Sequence, residues 1–165
     1  MALFSRAPRL DPDLTALLGG RRPLAIASAQ DGTVVGTIDR LFFPDGTGWA
    51  EQPWHEVERG GWDGESGTLS WTTTSGGRFA VRLTEPRGVP DLFNERVTAT
   101  IVATRTLDLG RHRKGVLTGR RDLSPGATGV AWHVTPGHGT TAAGLANDPL
   151  VLLELERLHS EYDGV

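Results

Sequence analysis

The chain has 165 residues, a formal net charge of −3 at pH 7 and no cysteine. That length fits one domain over residues 1–165 with a hydrophobic core of its own. The absence of cysteine excludes disulfide bonds and cysteine nucleophiles. The negative net charge argues against a protein that binds nucleic acid through bulk positive charge.

No stretch of the sequence has the pattern of a membrane or export segment. The apolar run at residues 150–153 is far shorter than the roughly 18 residues that a spanning helix needs. Charged side chains such as Arg6 and Asp11 stand where a signal peptide would have its apolar core. We therefore expect a cytoplasmic protein with no transmembrane segment.

A short helix is predicted near the start of the chain. Asp11 can cap it, Pro12 suits its first position, and Gly19-Gly20 can end it. It belongs to an N-terminal helical extension over residues 1–20, ahead of a β-rich body over residues 22–136.

Two hairpin turns are predicted in the first part of that body. Residues 24–29 and 33–43 are rich in strand-forming side chains and are joined through Asp31-Gly32, a dipeptide typical of tight hairpins. A second dipeptide of this kind, Asp45-Gly46, turns the chain toward Trp49.

The next segment, residues 49–62, is less regular. Pro53 cannot donate a backbone hydrogen bond to a neighbouring strand, so it indicates a sheet edge or a bend. Trp49 and Trp54 lie in this segment and are candidate exposed anchors for a partner, because tryptophan is enriched in interface hot spots.

Alternation of apolar and polar residues then predicts two antiparallel strands. The residues on the inward side of these strands are Leu69, Trp71, Thr73, Phe79, Val81 and Leu83. A period of two with one apolar face is typical of strands that pack on a core and leave their other face in water.

A helix is predicted to interrupt the strands after Pro90. Asp91 can cap it, and Phe93 and Val97 lie one turn apart. The residues from Thr98 onward are mostly β-branched and favour a strand. We predict a short helix that gives way to a strand near Thr98.

Two further strands are predicted after that helix. A hairpin turn at residues 110–115 leads to a strand over residues 116–121. The last strand alternates, with Val130, Trp132 and Val134 facing the core and Ala131, His133 and Thr135 facing solvent.

The C-terminal part is predicted to be an amphipathic helix over residues 147–162, after a glycine-rich connector at residues 136–146. Asn147-Asp148-Pro149 supplies a cap followed by proline at the first helical position. The apolar stripe has helical spacing and consists of Val151, Leu155, Leu158 and Tyr162.

Together these elements predict an α+β fold that is mostly β. Its body is a bent antiparallel sheet or partly open barrel of about seven to eight strands. The C-terminal helix has one apolar stripe to bury, and the open end of the barrel is the expected place for it.

The middle of the sequence resembles bacterial pleckstrin-homology-like domains over roughly residues 22–136. The resemblance rests on the segments Pro53-Trp54-His55-Glu56-Val57-Glu58, Trp62-Asp63, Gly67-Thr68-Leu69 and Phe79-Ala80-Val81-Arg82-Leu83. Small actinobacterial proteins of this layout also continue into a segment similar to Glu95-Arg96-Val97-Thr98-Ala99. The helix predicted at residues 91–97 departs from the continuous strands of the family. The resemblance implies a scaffold that binds proteins or lipids, and it transfers no catalytic residue.

No metal, cofactor or catalytic site is predicted. His55-Glu56-Val57-Glu58-Arg59 is not a zinc-protease helix, because Arg59 stands where the second histidine is required. His133 and His138 have no nearby carboxylate to complete a metal site before Asp148. The serines show no nucleophile elbow or ordered triad spacing.

The strongest local charge cluster lies around the predicted hairpin turn. Its candidate anion-binding or partner-binding residues are Arg111, Arg113, Lys114, Arg120 and Arg121. Arginine geometry suits phosphate and carboxylate groups. The alternative is a solvated basic loop that binds nothing.

The leading hypothesis is a non-enzymatic binding or assembly module. Its partner is a second copy or another protein, and the edge near Trp49 and Trp54 offers the contact. One alternative is a small-ligand-binding barrel or an enzyme that uses the barrel interior, which would need polar inward positions. Another is anion or nucleic-acid binding through the basic hairpin, and the net charge of −3 argues against nucleic acid as the ligand.

Overall fold

A computed structural model describes residues 9–162, so the first part of the predicted extension over residues 1–20 lies outside the described residues. The helices of the described part are α1 (Pro12–Leu18), α2 (Val89–Thr100), α3 (Ala142–Ala146) and α4 (Pro149–Tyr162). Strands predominate over helices, and the predicted mostly β fold class is confirmed.

The first seven strands form one antiparallel sheet. They are β1 (Ala25–Ala29), β2 (Gly32–Gly36), β3 (Arg40–Pro44), β4 (Trp49–Pro53), β5 (Val57–Asp63), β6 (Thr68–Thr73) and β7 (Arg78–Glu85). Their order across the sheet is β4-β3-β2-β1-β7-β6-β5. The two edge strands, β4 and β5, are joined by a single 3₁₀ turn, Trp54–Glu56. Because this connection is so short, the two edges meet at one end and the sheet curls into a half-barrel.

Helix α2 fills the concave face of this sheet. Its Val89 and Phe93 belong to the main core cluster, together with Trp54 and strand residues from across the sheet. The rings of Trp54 and Phe93 meet edge to face with their centroids 5.8 Å apart. Side chains therefore occupy the interior where the barrel alternative places a ligand.

Helix α1 covers the convex face of β2 and β3. Leu14 is fully buried there beside Val35 and Phe42, which alternate with the inward residues of their strands. Asp11 caps the helix and Gly19 ends it in the left-handed region with φ 57°. The predicted start and end of this helix are confirmed.

A second antiparallel sheet follows α2 and consists of β8 (Ile101–Asp108), β9 (Lys114–Arg120) and β10 (Ala131–Pro136), with β9 in the centre. Helix α4 packs on one face of it, where Val151 and Leu155 share a cluster with Leu109 and Val134. The predicted apolar stripe is confirmed. Its predicted place at the open end of the barrel is wrong, because α2 already fills that space.

The structure corrects the boundaries of two predicted elements. Residues 33–43 form two strands instead of one, because the chain turns back at Thr37, whose N–H donates to Arg40 O at 2.9 Å. Helix α2 starts before Asp91, since Gly88 begins it in the left-handed region with φ 81°. It also continues past Thr98, and Thr100 Oγ1 donates to a backbone carbonyl one turn back at 2.6 Å.

The predicted glycine-rich connector, residues 136–146, contains helix α3. Thr141 caps this helix by accepting a hydrogen bond from Gly144 N at 3.1 Å. Leu145 is buried in the cluster between the second sheet and α4. No helix among residues 9–162 is long and apolar enough to cross a membrane.

Candidate functional site

The two tryptophans predicted as exposed anchors are both engaged in packing. Trp54 is fully buried, and its Nε1 donates to Thr37 O at 3.0 Å. Trp49 is half-buried beside the α1 cluster, with its ring over Gly32. Trp54 therefore cannot serve as an exposed anchor, and of the two predicted anchors only Trp49 retains some exposed surface.

The five basic residues of the predicted cluster do not lie together. The turn between β8 and β9 holds Arg111 and Arg113, and Lys114 begins β9, whereas Arg120 and Arg121 lie at the far end of that strand. The two groups are about 20 Å apart at roughly 3.3 Å per strand residue. Arg113 Nη1 donates to Asp148 Oδ2 at 3.0 Å and so holds the start of α4, which leaves Arg111 and Lys114 exposed at the turn.

Arg120 is the buried member of that set, with only 5% of the residue exposed. Its Nη1 donates to Thr100 Oγ1 at 2.8 Å, and its Nη2 donates to Glu58 O at 3.0 Å. Its Nη1 also donates to Val97 O at 3.3 Å, and all three acceptors are uncharged. No carboxylate of residues 9–162 lies within 4.0 Å of the guanidinium.

Burial lowers the pKa of Arg120, and the nearby carboxylate of Glu58 partly offsets this. The side chain still carries its positive charge at neutral pH, since the ordinary pKa of arginine is far above 7. The protein thus holds a desolvated cation next to a carboxylate that is not in direct contact with it.

A cleft of about 300 Å³ opens beside Arg120 between the two sheets. Its walls include His55, from the turn that joins β4 to β5, and Asp122 with residues 128–131, which follow β9. His55 Nδ1 is buried, lacks a hydrogen-bond partner among residues 9–162, and lies 3.6 Å from Asp122 Oδ1. The cleft therefore combines a cation, an anion and an unsatisfied imidazole nitrogen.

Asp122 is held in place by Ser124. The backbone N–H of Ser124 donates to Asp122 Oδ1 at 2.8 Å, and its hydroxyl lies 2.7 Å from the same oxygen. Burial alone would raise the pKa of Asp122, but the hydrogen bonds from Ser124, with His55 nearby, lower it below its ordinary value. The carboxylate is accordingly ionised at neutral pH.

A buried carboxylate behind the cleft anchors this arrangement to the first sheet. Asp39 is 1% exposed and accepts hydrogen bonds from Arg40 Nε at 2.7 Å, Thr37 Oγ1 at 3.0 Å and Arg21 Nε at 3.1 Å. The hydroxyl of Ser124 lies 3.2 Å from Asp39 Oδ2. Ser124 thus connects the loop after β9 to the turn before β3.

These groups do not form a serine hydrolase triad. In a triad the histidine stands between the serine and the carboxylate and takes the proton of the serine. Here Asp122 stands between Ser124 and His55, and the serine hydroxyl faces two carboxylates. The geometry favours binding over nucleophilic catalysis.

The side of β10 that the sequence predicts to face solvent faces the first sheet instead. His133 is half-buried, and Thr135 Oγ1 donates to Glu58 Oε1 at 3.1 Å. Burial lowers the pKa of His133, and the nearby side chains of Arg120 and His55 act in the same direction. The second sheet therefore presents a polar face to the first sheet and an apolar face to α4.

The histidines of the described part do not form a metal site. His133 lies on this polar face, whereas His138 lies in an exposed loop. Within residues 9–162 no group of three or more histidine, aspartate or glutamate side chains is placed to hold a metal ion.

Sequence reasoning placed Arg120 among the exposed residues of the hairpin and missed the cleft. Alternation along β9 could have separated Arg120 from Leu117, because residues three apart lie on opposite faces of a strand. The cleft itself joins His55 to Asp122, which are too distant in sequence for a local pattern to reveal.

No protein-family model, curated protein or solved structure matches this chain. The resemblance to bacterial pleckstrin-homology-like domains therefore stays a prediction.

Proposed function

We propose that this protein is a non-enzymatic binding module whose inter-sheet cleft holds a small oxyanion on Arg120. The observation that supports the proposal is a buried guanidinium with no carboxylate of the described chain in contact with it. A buried charge without a partner costs free energy, and a carboxylate or phosphate group in the cleft would offset that cost. The planar fork of donors in arginine also matches such groups.

The neighbouring side chains restrict the ligand further. Asp122 repels a second negative charge and can accept a hydrogen bond, so a monocarboxylate that carries a hydroxyl or amino group fits better than a doubly charged phosphate. His55 lines the same cleft and adds a polar side chain to its wall. A volume of about 300 Å³ suits a small molecule. A cytoplasmic location is part of the proposal and fits the absence of cysteine.

The test compares the binding of glycolate and inorganic phosphate by calorimetry in three proteins: the wild type, Arg120→Gln and Arg121→Gln. The last is a matched control, because Arg121 is the exposed neighbour of Arg120. We expect wild type and control to bind glycolate equally. Arg120→Gln should bind about tenfold more weakly, the effect of losing one charge-assisted hydrogen bond of about 1.5 kcal/mol.

Arg120→Gln also removes structural hydrogen bonds, so a second variant keeps the proposal testable. Asp122→Asn should strengthen phosphate binding relative to glycolate, because it removes the repelling charge. Equal glycolate binding by wild type and Arg120→Gln would contradict the proposal. So would equal losses in Arg120→Gln and Arg121→Gln, or no binding of either probe to the wild type.

A further inference from the structure

The outer face of β5, β6 and β7 carries two arginines that face each other across the central strand. Strand register places Thr72 of β6 between Arg59 of β5 and Arg78 of β7. This face is the outer one, because Trp71, the neighbour of Thr72 in β6, points into the core. Two strand spacings are about 10 Å, so both long side chains can reach a group placed between them.

The next row of this face consists of small residues. Register places Ser70 between Gly61 and Ala80, two residues further along each strand. A Cβ at Gly61 would have no heavy atom within 4 Å, and Ser70 is exposed. A row of small residues beside two long side chains leaves a groove. It has a volume of about 480 Å³, and Arg59, Ser70 and Arg78 line it.

No carboxylate contacts this pair of arginines. Neither Arg59 nor Arg78 lies within 4.0 Å of a carboxylate oxygen among residues 9–162. Glu58, the residue before Arg59, reaches toward the second sheet, where its Oε1 accepts a hydrogen bond from Thr135 Oγ1 at 3.1 Å. An anion in the groove would therefore be attracted by two positive charges without a competing carboxylate in contact with either.

The rest of this face carries charges of both signs. One row beyond Ser70, register places Asp63 and Arg82 on either side of Thr68. That row therefore has one charge of each sign. At the end of β7, the carboxylate of Glu85 pairs with Arg87. The uncompensated positive charge of this face is thus concentrated at the groove.

We propose that this groove binds the phosphate group of a soluble phosphate monoester, with Arg59 and Arg78 on its two sides and the Ser70 hydroxyl as a third donor. The forked donors of arginine match the oxygens of a phosphate group. Two cations also suit a group that carries about 1.5 to 2 negative charges at neutral pH. The row of small residues leaves space for the rest of the molecule.

A soluble ligand is favoured over a membrane surface. Clusters that recognise anionic lipids commonly have about four to eight basic residues, whereas two arginines line this groove. The proposal is also independent of the one for the inter-sheet cleft. There Asp122 disfavours a doubly charged ligand, whereas no acidic side chain lines the β5–β7 groove in the described part of the chain.

Calorimetric titration of the full chain with glycerol 2-phosphate tests the proposal. The groove variant is Arg59→Gln with Arg78→Gln, which removes both charges. We expect it to bind at least about tenfold more weakly than the wild type, since charge-assisted hydrogen bonds are lost. Binding by the wild type should also weaken at high ionic strength, because salt screens exposed charges.

A matched control is Arg111→Gln with Arg121→Gln, which makes the same change of charge at exposed positions outside the groove. It should bind glycerol 2-phosphate as the wild type does. Ser70→Leu fills the floor of the groove without a change of charge, and we expect it to weaken binding by about tenfold as well. Because all these positions are on the surface, the variants should keep the wild-type melting temperature.

Several outcomes would overturn the proposal. One is a wild type that does not bind glycerol 2-phosphate, and another is an equal loss in the groove and control variants, which would show attraction by net charge alone. Unchanged binding in Ser70→Leu would remove the groove as the site. Binding of the wild type to vesicles of phosphatidylcholine with phosphatidic acid, without binding of glycerol 2-phosphate, would assign the arginines to a membrane surface.

Glycolate separates this proposal from the one for Arg120. The groove variant should bind glycolate as the wild type does, because the cleft beside Arg120 lies between the two sheets and shares no lining residue with the groove. A groove variant that loses both ligands equally would contradict the assignment of two separate sites.

Discussion

Arg120 Nη1 donates to Thr100 Oγ1 at 2.8 Å and so ties the second sheet to the last residue of the helix that fills the first. The same guanidinium donates to Glu58 O, in the edge strand β5. A single buried side chain thus joins three elements. It links the two sheets beside the cleft.

The first prediction tests this structural role. Arg120→Met keeps much of the side-chain volume but leaves the buried acceptors at Thr100 and Glu58 without their donor. We expect the free energy of unfolding to fall by about 1–3 kcal/mol, the usual cost of an unsatisfied buried polar group. Urea denaturation measures the change. Arg121→Met should stay within about 0.5 kcal/mol of the wild type, and a similar loss in both variants would contradict the role given to Arg120.

The second prediction concerns Asp39, which lies between two arginines. Asp39→Asn should lower the free energy of unfolding by about 2–3 kcal/mol. That is less than the roughly 3–5 kcal/mol of a fully buried pair, because Arg21 is 33% exposed and its charge is partly solvated. Asp31→Asn, in an exposed hairpin turn, is the control and should be nearly neutral.

The pH dependence of the Asp39 contribution follows from its pKa. Burial alone would raise this pKa, but hydrogen bonds from Arg40, Thr37 and Arg21 lower it below the ordinary 3.8. The contribution is therefore present above pH 3.8 and is lost as the pH falls through the lowered pKa. Asp39→Asn should flatten the acid limb of a plot of stability against pH, and an unchanged limb would contradict this.

Local signals in the sequence predicted much of the fold. Asp11 and Gly19 mark the ends of α1, and the dipeptides Asp31-Gly32 and Asp45-Gly46 mark hairpin turns that the structure contains. Each of these signals depends on a few neighbouring residues and their backbone preferences. The same reasoning located the stripe of α4, because its spacing repeats within one helix.

The long-range arrangement was not accessible in the same way. The residues around Val89 and Phe93 do not show that their helix fills a curved sheet. Because α2 occupies that space, α4 packs on the second sheet instead. Likewise, the sequence alone does not distinguish Arg120 from the other basic residues of the predicted cluster. Its contact with Thr100 is visible only in the structure. Positions that depend on contacts between distant segments require the structure.

The third prediction uses two adjacent glycines with different surroundings. A Cβ at Gly60 would lie 2.6 Å from Phe93 Cζ and 2.8 Å from Ser70 O, whereas at Gly61 nothing lies within 4 Å. Gly60→Ala should therefore destabilise the protein by about 1–3 kcal/mol through overpacking. Gly61→Ala should be close to neutral. Urea denaturation of the two variants side by side measures the difference, and equal stabilities would show that Phe93 moves aside at no cost.

The fourth prediction concerns the buried stripe of α4. Leu158 is fully buried, whereas Leu152 on the same helix is 51% exposed. Leu158→Ala should cost about 2–5 kcal/mol, as truncations in cores do. Leu152→Ala should cost less than about 0.5 kcal/mol. Thermal and urea denaturation at low protein concentration separate these effects from self-association, and a small loss in both variants would mean that α4 does not dock on the second sheet.

The last prediction concerns His133 on the polar face between the sheets. Burial lowers its pKa below the ordinary 6.5, Arg120 and His55 lower it further, and Glu58 and Glu56 oppose them. The folded protein therefore binds a proton at His133 less readily than the unfolded chain does. This contribution to stability is fully present above pH 6.5 and declines as the pH falls toward the lowered pKa.

We expect the urea midpoint of the wild type to decrease when the pH is lowered from 7.5 to 5.5. In His133→Gln this decrease should be smaller. His138→Gln is the matched control, because His138 is exposed in the loop after β10 and should leave the wild-type pH dependence unchanged. Glu58 faces His133 from the first sheet, so Glu58→Gln should make the wild-type fall steeper by removing an opposing charge. If His133→Gln lost stability as steeply as the wild type over this range, the acid sensitivity would belong to other groups.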